Sequence, residues 1–298
     1  MRFHFISNHP SGGFLSSNLD GLVMSLSSVL LSVEQNRRAI MLAKLNQYRQ
    51  NLSLPLTKSR TNTQLRFEWV DDLKQLKEVQ QFRAKQFADQ FGISFEQGLD
   101  QDLYDFDCEH AVVREKWSGE IVAYTRLKLF QGDELAQSYS AQEFEVLPHL
   151  GHLANIVEVG RTCVHPQFRS GKALSMLWLN LVPKVLWGMR AKALIGCVSV
   201  RLEANLARAY YTHQYLQNLA AHQTIDIVAK QAFEPVRPTH SFAQDERIPK
   251  LFDAYLSMQA QLSKQAYYDK DFNCLDYFVF LEVNQVAKSF VMNKMIQR

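Results

Sequence analysis

Long hydrophobic runs are missing from this 298-residue chain. No stretch of about 18 uncharged apolar residues occurs, so no transmembrane helix is expected. Cysteine is scarce, and Cys108, Cys163, Cys197 and Cys274 stand far apart without metal-ligand spacing. That sets aside a zinc module or a disulfide framework and leaves free, buried thiols in a reducing cytoplasm. The N-terminal segment is broken by Arg2, His9-Pro10 and Gly12-Gly13 and is read as no secretory signal. No internal repeat or low-complexity tract stands out. The net charge is only +3, and no nucleic-acid partner is expected. What remains is 47% hydrophobic and 21% charged, ordinary for a globular protein.

The charge is unevenly placed. Residues 1–60 carry Arg2, Arg37, Arg38, Lys44, Arg49, Lys58 and Arg60 against Asp20 and Glu34. Leu22, Val23, Leu26, Val29, Leu30 and Val33 form a stripe at helical spacing there. The segment reads as a basic, amphipathic helical appendage that either docks on the rest of the chain or lies on an anionic surface. Residues 61–298 read as one domain. A strand is expected at 65–70, a helix from Asp71-Asp72 to Phe91, and a hairpin of strands 110–116 and 121–129 around Ser118-Gly119. An irregular insertion (131–153) precedes a strand at 156–164. A helix from about Lys172, a strand at 193–200, helices at 203–219 and 248–262, a strand at 275–283 and a last helix follow. The order implies a mixed α/β (α+β) fold.

The central stretch is Asn155–Trp178. Its β-branched strand ends at His165-Pro166, and Arg169, Ser170, Gly171, Lys172 and Ala173 then open a helix. A strand feeding a glycine turn at a helix N-terminus offers free amides to an anion such as phosphate. Glu158 and Arg161 are charged residues inside this core-like run, costly unless paired or used. Regular alternation would put them on opposite faces; a bulge at Gly160 would bring them to one side and splay the strand from its neighbour.

Beyond residue 65 the chain resembles the GNAT superfamily of N-acyltransferases, and more closely its long-chain branch of L-ornithine Nα-acyltransferases (ornithine lipid synthases), N-acyl amino acid synthases and acyl-homoserine-lactone synthases. The stretches that carry it are 80–91, 105–113, 120–127, 157–178, 194–199 and 249–282. Two motifs are the most particular: E-x-x-R-x-x-V-H-P-x-F-R, starting at Glu158, and D-x-x-F-x-x-x-D, made by Asp269, Phe272 and Asp276. The resemblance implies a GNAT-like fold: a mostly antiparallel mixed sheet splayed at strand 156–164, with helices on both faces. It implies transfer of a (3-hydroxy)fatty acyl group to the α-amine of ornithine. No tightly bound cofactor and no metal are implied; the co-substrate is the acyl-4'-phosphopantetheine of acyl carrier protein, or acyl-CoA. The superfamily's [QR]-x-x-G-x-[GA] turn keeps Gly171 and Ala173 but has Phe168 in first place, which favours the carrier protein. Residues 1–60 fall outside the resemblance, and the location implied is cytoplasmic, with peripheral contact at the inner membrane face.

An amine attacking a thioester needs a base, a polarised carbonyl and a proton for the leaving thiolate. An α-amine, of pKa about 7.7–8.0, needs only a modest base. Glu158 is the candidate, or else a strand carboxylate paired with Arg161 or Arg126. Arg161 and Tyr211 complete the catalytic set, Tyr211 through an A-x-x-x-Y pattern that lacks the expected asparagine, since Ala204 occupies its place. Arg83 and Arg126 match arginines of related enzymes and would clamp a substrate carboxylate. Asp102, Asp105, Asp107 and Glu109 would recognise a cationic acceptor or merely cap a solvated loop. Backbone amides of Thr162, Cys163 and Val164, with the turn 169–173, would hold the phosphopantetheine arm. The other readings are an N-acyl amino acid or acyl-homoserine-lactone synthase, and an acyl-binding module without turnover.

Overall fold

The computed structural model describes residues 64–202, 207–237 and 250–283. The appendage expected at 1–60 and the last helix lie outside them, as does the start of the helix expected at 203.

One sheet of nine strands organises the described residues: β1 (Leu65–Val70), β2 (Glu109–Glu115), β3 (Ile121–Phe130), β4 (Ile156–Val164), β5 (Ala193–Arg201), β6 (Thr224–Ile225), β7 (Gln261–Ser263), β8 (Tyr267–Asp269) and β9 (Cys274–Glu282). The order is β1-β2-β3-β4-β5-β9-β7-β6, with β8 also on β9. Pairing is antiparallel except at β4–β5 and β6–β7. The mixed, mostly antiparallel sheet is as expected. β7 and β8 are not: the helix expected to reach 262 ends at Ser257 (α6, Lys250–Ser257), and two three-residue strands follow it.

Alternation along the strands decides which helix covers which face. Ala111, Val113, Ala123, Leu127, Val157 and Val159 face α4 (Lys172–Pro183), which buries Ala173, Leu177 and Leu181 against them. Val112, Tyr124 and Cys163 face α1 (Leu73–Phe91) through Val79 and Phe87. Asp72 caps α1, accepting a hydrogen bond from the Gln75 amide at 2.7 Å, and Gly92 ends it in the left-handed conformation. The insertion between β3 and β4 folds into two short helices, α2 (Ser140–Glu143) and α3 (Val146–Leu150). Phe144, Val146 and Leu150 pack there on Ile156, Ile195 and Phe278. Beyond β5, α5 (Ala207–Gln217) packs Ala209 and Leu216 on Val198, Val200, Tyr277 and Val279.

Two irregularities open the sheet at its middle. β4 pairs with β5 only over Ile156–Glu158, so the β5-facing edge of the rest of β4 carries amides and carbonyls with no strand partner. Against β3, the register jumps from Tyr124↔Cys163 to Arg126↔Gly160, which inserts one extra residue in β4. Arg161 holds it with φ +53°, a conformation that costs a non-glycine residue energy and persists only where its surroundings impose it. The bulge thus lies one residue beyond Gly160. It has the expected consequence: Glu158, Arg161 and Cys163 share the α1 face, while Val157, Val159 and Val164 face α4.

Gly196 of β5 lies where the two strands part. A Cβ there would sit 2.5 Å from the carbonyl oxygen of Val159, closer than packing allows. Gly196→Ala is expected to lower stability by about 1–3 kcal/mol, read as a fall in the urea midpoint at unchanged m-value. An unchanged midpoint would show that the strands can move apart freely.

Candidate active site

A cleft of about 150 Å³ opens at the divergence of β4 and β5. Its walls include Glu158, Gly160, Arg161 and Thr162 of β4, Gly196, Cys197 and Ser199 of β5, and Asp276 of β9. Tyr104, Arg126, Tyr139, Tyr255, Asp269 and Phe272 complete them.

Glu158 is buried, and each carboxylate oxygen accepts one backbone hydrogen bond: Oε2 from the Tyr139 amide at 2.9 Å, Oε1 from the Ser140 amide at 2.7 Å. The insertion supplies both donors, so the segment expected to be irregular is what fixes this side chain. No arginine is bonded to it among the described residues. A carboxylate oxygen has two lone pairs, so each keeps one for a proton presented from the cleft.

The arginines expected to clamp substrate serve one another's acids instead. Arg83 is fully buried (0% exposed). Its Nη1 and Nη2 donate to the two carboxylate oxygens of Asp105 at 2.6 and 2.8 Å, its Nε lies 2.9 Å from Asp100 Oδ2, and its Nη2 also bonds the Asp100 carbonyl. Arg126 holds Asp102 in a fork at 2.5 and 2.8 Å and reaches Asp105 at 2.7 Å. Arg161 meets Asp102 at 3.2 Å and Asp100 at 3.4 Å, between the rings of Tyr139 (5.2 Å) and Phe272 (5.1 Å). Gln80 and His110 extend the network, His110 through Tyr124 Oη at 2.7 Å and the Asp105 carbonyl at 2.8 Å. Three guanidinium groups thus meet three carboxylates with no charge left over. Burial alone would raise the Asp105 carboxyl, but the hydrogen bonds and charge of Arg83, with Gln80 and Arg126, hold it well below the usual range.

Several expectations are corrected by this geometry. Arg83 and Asp105 are sealed from the cleft and cannot touch a substrate. Asp102 spends its oxygens on Arg126 and Arg161. Asp107 is exposed and pairs with Lys128 at 3.2 Å, and Glu109 pairs with Lys184 at 2.8 Å; neither lines the cleft. Tyr211, half-buried on α5 beside Tyr210, is not among the lining residues either; Tyr255 on α6 is. Burial, with a smaller contribution from Cys197, pushes the Tyr255 phenol up to about 12. The side chains of Cys163 and Ala173 point into core, leaving only their backbone to a ligand. At the turn, Gly171 takes φ +94° immediately before α4, with open space where a side chain would be, and Arg169 Nε bonds the Val164 carbonyl at 3.1 Å.

Sequence reasoning missed Tyr139, Ser140 and Glu143 on the insertion and gave no role to Asp276. Asp276 was legible as part of the late motif; nothing in the sequence marks Glu143. Asp269 Oδ1 accepts from the amides of Asp271 and Phe272 at 2.8 and 3.0 Å. That turn sets the Phe272 ring on Phe87 and Phe91. Ligand atoms of Asp269, Cys274 and Asp276 lie within 4.8 Å of one another. A metal there would need the Cys274 thiolate, but burial, then the neighbouring carboxylates, push that thiol far above its ordinary range.

Residues 82–179, which hold the divided strand, the amide-held glutamate and the glycine turn at α4, match the family model described as Acetyltransferase (GNAT) domain. Among characterised proteins the chain is similar to the L-ornithine N(alpha)-acyltransferase of Rhodobacter capsulatus, 26% identical over 238 residues that cover 73% of this chain and 89% of the relative. It is likewise similar to that of Agrobacterium fabrum, 29% identical over 213 residues, 64% of this chain and 70% of the relative. Among solved structures, FeeM, an N-acyl amino acid synthase from uncultured soil microbes, aligns over 80% of this chain and all of its own (8% identity, TM-score 0.49). The AHL synthase LasI aligns over 77% and 95% (10% identity, TM-score 0.46). No helix of the described residues is long and apolar enough to cross a membrane.

Removing one member of the buried network should cost more than removing an opposite pair. Arg83→Met leaves the network's three carboxylates to two guanidinium groups, with Asp105 held by Arg126 and Gln80, and is expected to destabilise by about 3–5 kcal/mol, and Arg83→Met with Asp105→Asn by less than the sum of the single changes. Because the folded-state value of Asp105 is depressed, its contribution is present above the ordinary aspartate pKa of about 3.9 and drains as pH falls below it. Urea midpoints measured from pH 6 to pH 3 check this. Additivity of the two substitutions, or an acid limb identical in the double variant, would contradict it.

Proposed function

We propose that the protein transfers a (3-hydroxy)fatty acyl group from the phosphopantetheine thioester of acyl carrier protein to the α-amine of L-ornithine, the first step of ornithine lipid synthesis. The observation that carries this reading is Glu158, held by two amides at the head of a cleft between parting strands, in a chain whose named relatives acylate ornithine. The pantetheine arm enters between β4 and β5 and bonds the unpaired β4 edge near Thr162–Val164, with its phosphate at the turn 169–173. The amine gives a proton to Glu158, directly or through water, as its nitrogen bonds the thioester carbon. The oxyanion is met by amides of that edge. The C–S bond then breaks, and Tyr255, in place of Tyr211, is the hydroxyl available to protonate the thiolate. The excess of arginine and lysine in residues 1–60 suits contact with the anionic inner face of the membrane, where an amphipathic product belongs.

The test is incubation with a panel of carrier-protein and coenzyme A thioesters and amino acids, with products identified by mass spectrometry. N-acylornithine from the carrier-protein donor is expected. Preference for glycine or tyrosine would overturn the choice of acceptor, and absence of product would favour an acyl-binding module. Glu158→Gln is expected to lower kcat by about 10²–10⁴-fold while leaving donor affinity in place; wild-type turnover in that variant would remove Glu158 from the chemistry.

A further inference from the structure

Two carboxyl groups on the cleft wall, Asp269 and Asp276, and Glu143 beside Asp276 take no part in the chemistry above. Asp276 stands directly across from Ser199 in the β5–β9 ladder and hydrogen-bonds it. Asp269, at the end of β8, lines the same wall. Glu143 comes from the insertion. It is 3% exposed, its carboxyl meets that of Asp276 within hydrogen-bonding reach, and its Oε2 has no hydrogen-bond donor. Two carboxyl groups can meet in this way only with a proton or another cation between them. Among the described residues none of the three has an ion pair, whereas each cation that lines the cleft is already engaged: Arg126 and Arg161 with Asp102, Lys128 with Asp107. Burial, then the charge of Asp276, raises the Glu143 carboxyl, and burial chiefly raises that of Asp276, so a cation placed between them would stabilise both as carboxylates.

The position suits one particular cation. Along the sheet, Glu158 is level with Ile195 and Asp276 with Ser199, so Ile195, Cys197 and Ser199 lead along one face from the amide-held glutamate to the acid group. Glu158, at the helix start, and Glu143, at its end, are bridged by α2 itself. An amino acid whose α-amine sits at Glu158 would direct its side chain along Cys197 toward Asp276. We propose that Asp276, backed by Glu143 and flanked by Asp269, receives the side-chain ammonium of the acceptor and so selects a diamino acid over a neutral one. This rests on the acyltransfer reading and adds to it the residues that set acceptor specificity.

The test compares ornithine with norvaline, which lacks the terminal amine, and with Nδ-acetylornithine, in which the charge is removed, under one acyl donor. The wild-type enzyme is expected to favour ornithine over both in kcat/KM by at least about 30-fold. In Asp276→Asn and, separately, Glu143→Gln, that ratio should fall toward one, with the loss for ornithine mainly in KM. Glu158→Gln should instead lower kcat for ornithine and norvaline by a common factor. Equal wild-type use of ornithine and norvaline would overturn the inference while leaving the acyltransferase reading intact, and this comparison needs no variant to fold. Loss of activity on chelation with EDTA, restored by a divalent ion, would overturn it in favour of a metal at Asp269 and Asp276. If the wild type acylates no amino acid at all, the acyltransfer reading fails and the inference fails with it.

Discussion

The bidentate pair of Arg83 with Asp105, wholly out of solvent, is the interaction on which the rest of the site depends. A guanidinium on α1 is costly to bury, and it is tolerated because Asp105, Tyr124 and the Asp100 carbonyl accept from its Nη atoms while the Asp100 carboxylate pairs with its charge. That arrangement pins the 100–107 segment, which has little hydrophobic core of its own, against the sheet. The pinned segment then offers Asp102 to Arg126 and Arg161. Arg161 can hold its left-handed backbone because its side chain is gripped by two aspartates and two aromatic faces. The bulge follows, and the divergence of β4 from β5 begins beside it. Well-packed apolar residues could have stabilised this region equally well, but they would not fix a guanidinium at a bulge.

The order of elements was legible because it rests on local signals: alternation in β2 and β3, the Asp72 cap, the His165-Pro166 stop and the glycine turn at α4. The shared face of Glu158 and Arg161 was legible too, since a glycine between two charged residues of a buried strand predicts a break in phase; the extra residue proved to be Arg161. Partnership was not legible. Asp102, Asp105, Arg83 and Arg126 are the residue types that bind a zwitterionic amino acid, and they are equally the types that neutralise one another. Only the spatial match of three acids with three arginines decides between those outcomes. The insertion was the other blind spot. Residues 131–153 read as irregular because α2 and α3 are four and five residues long, too short to show a helical period. Yet their backbone holds Glu158, and Glu143 is theirs.

The cleft therefore contains two kinds of carboxylate whose environments assign them different work. Glu158 has its orientation fixed by two amides and no counter-ion among the described residues, so its remaining lone pairs face whatever the cleft presents. Glu143 accepts from Tyr139 and Cys197 and Asp276 from Ser199 and Cys274, but they face each other with no cation between them among the described residues. The aspartates beneath Arg83, Arg126 and Arg161 are a third case, fully paired and closed to ligand. Sorting the acids by what already satisfies them, rather than by proximity to the strand that carries the motif, separates scaffold from site. The acidic run at 100–109 then belongs to the scaffold, and the proposed recognition of a cationic acceptor falls to acids 30 or more residues farther along the chain, carried by α2, β8 and β9. Neutral and charged acceptors would meet the same Glu158 but not the same far wall. Selectivity for the acceptor's side chain would thus be separable from attack by its α-amine.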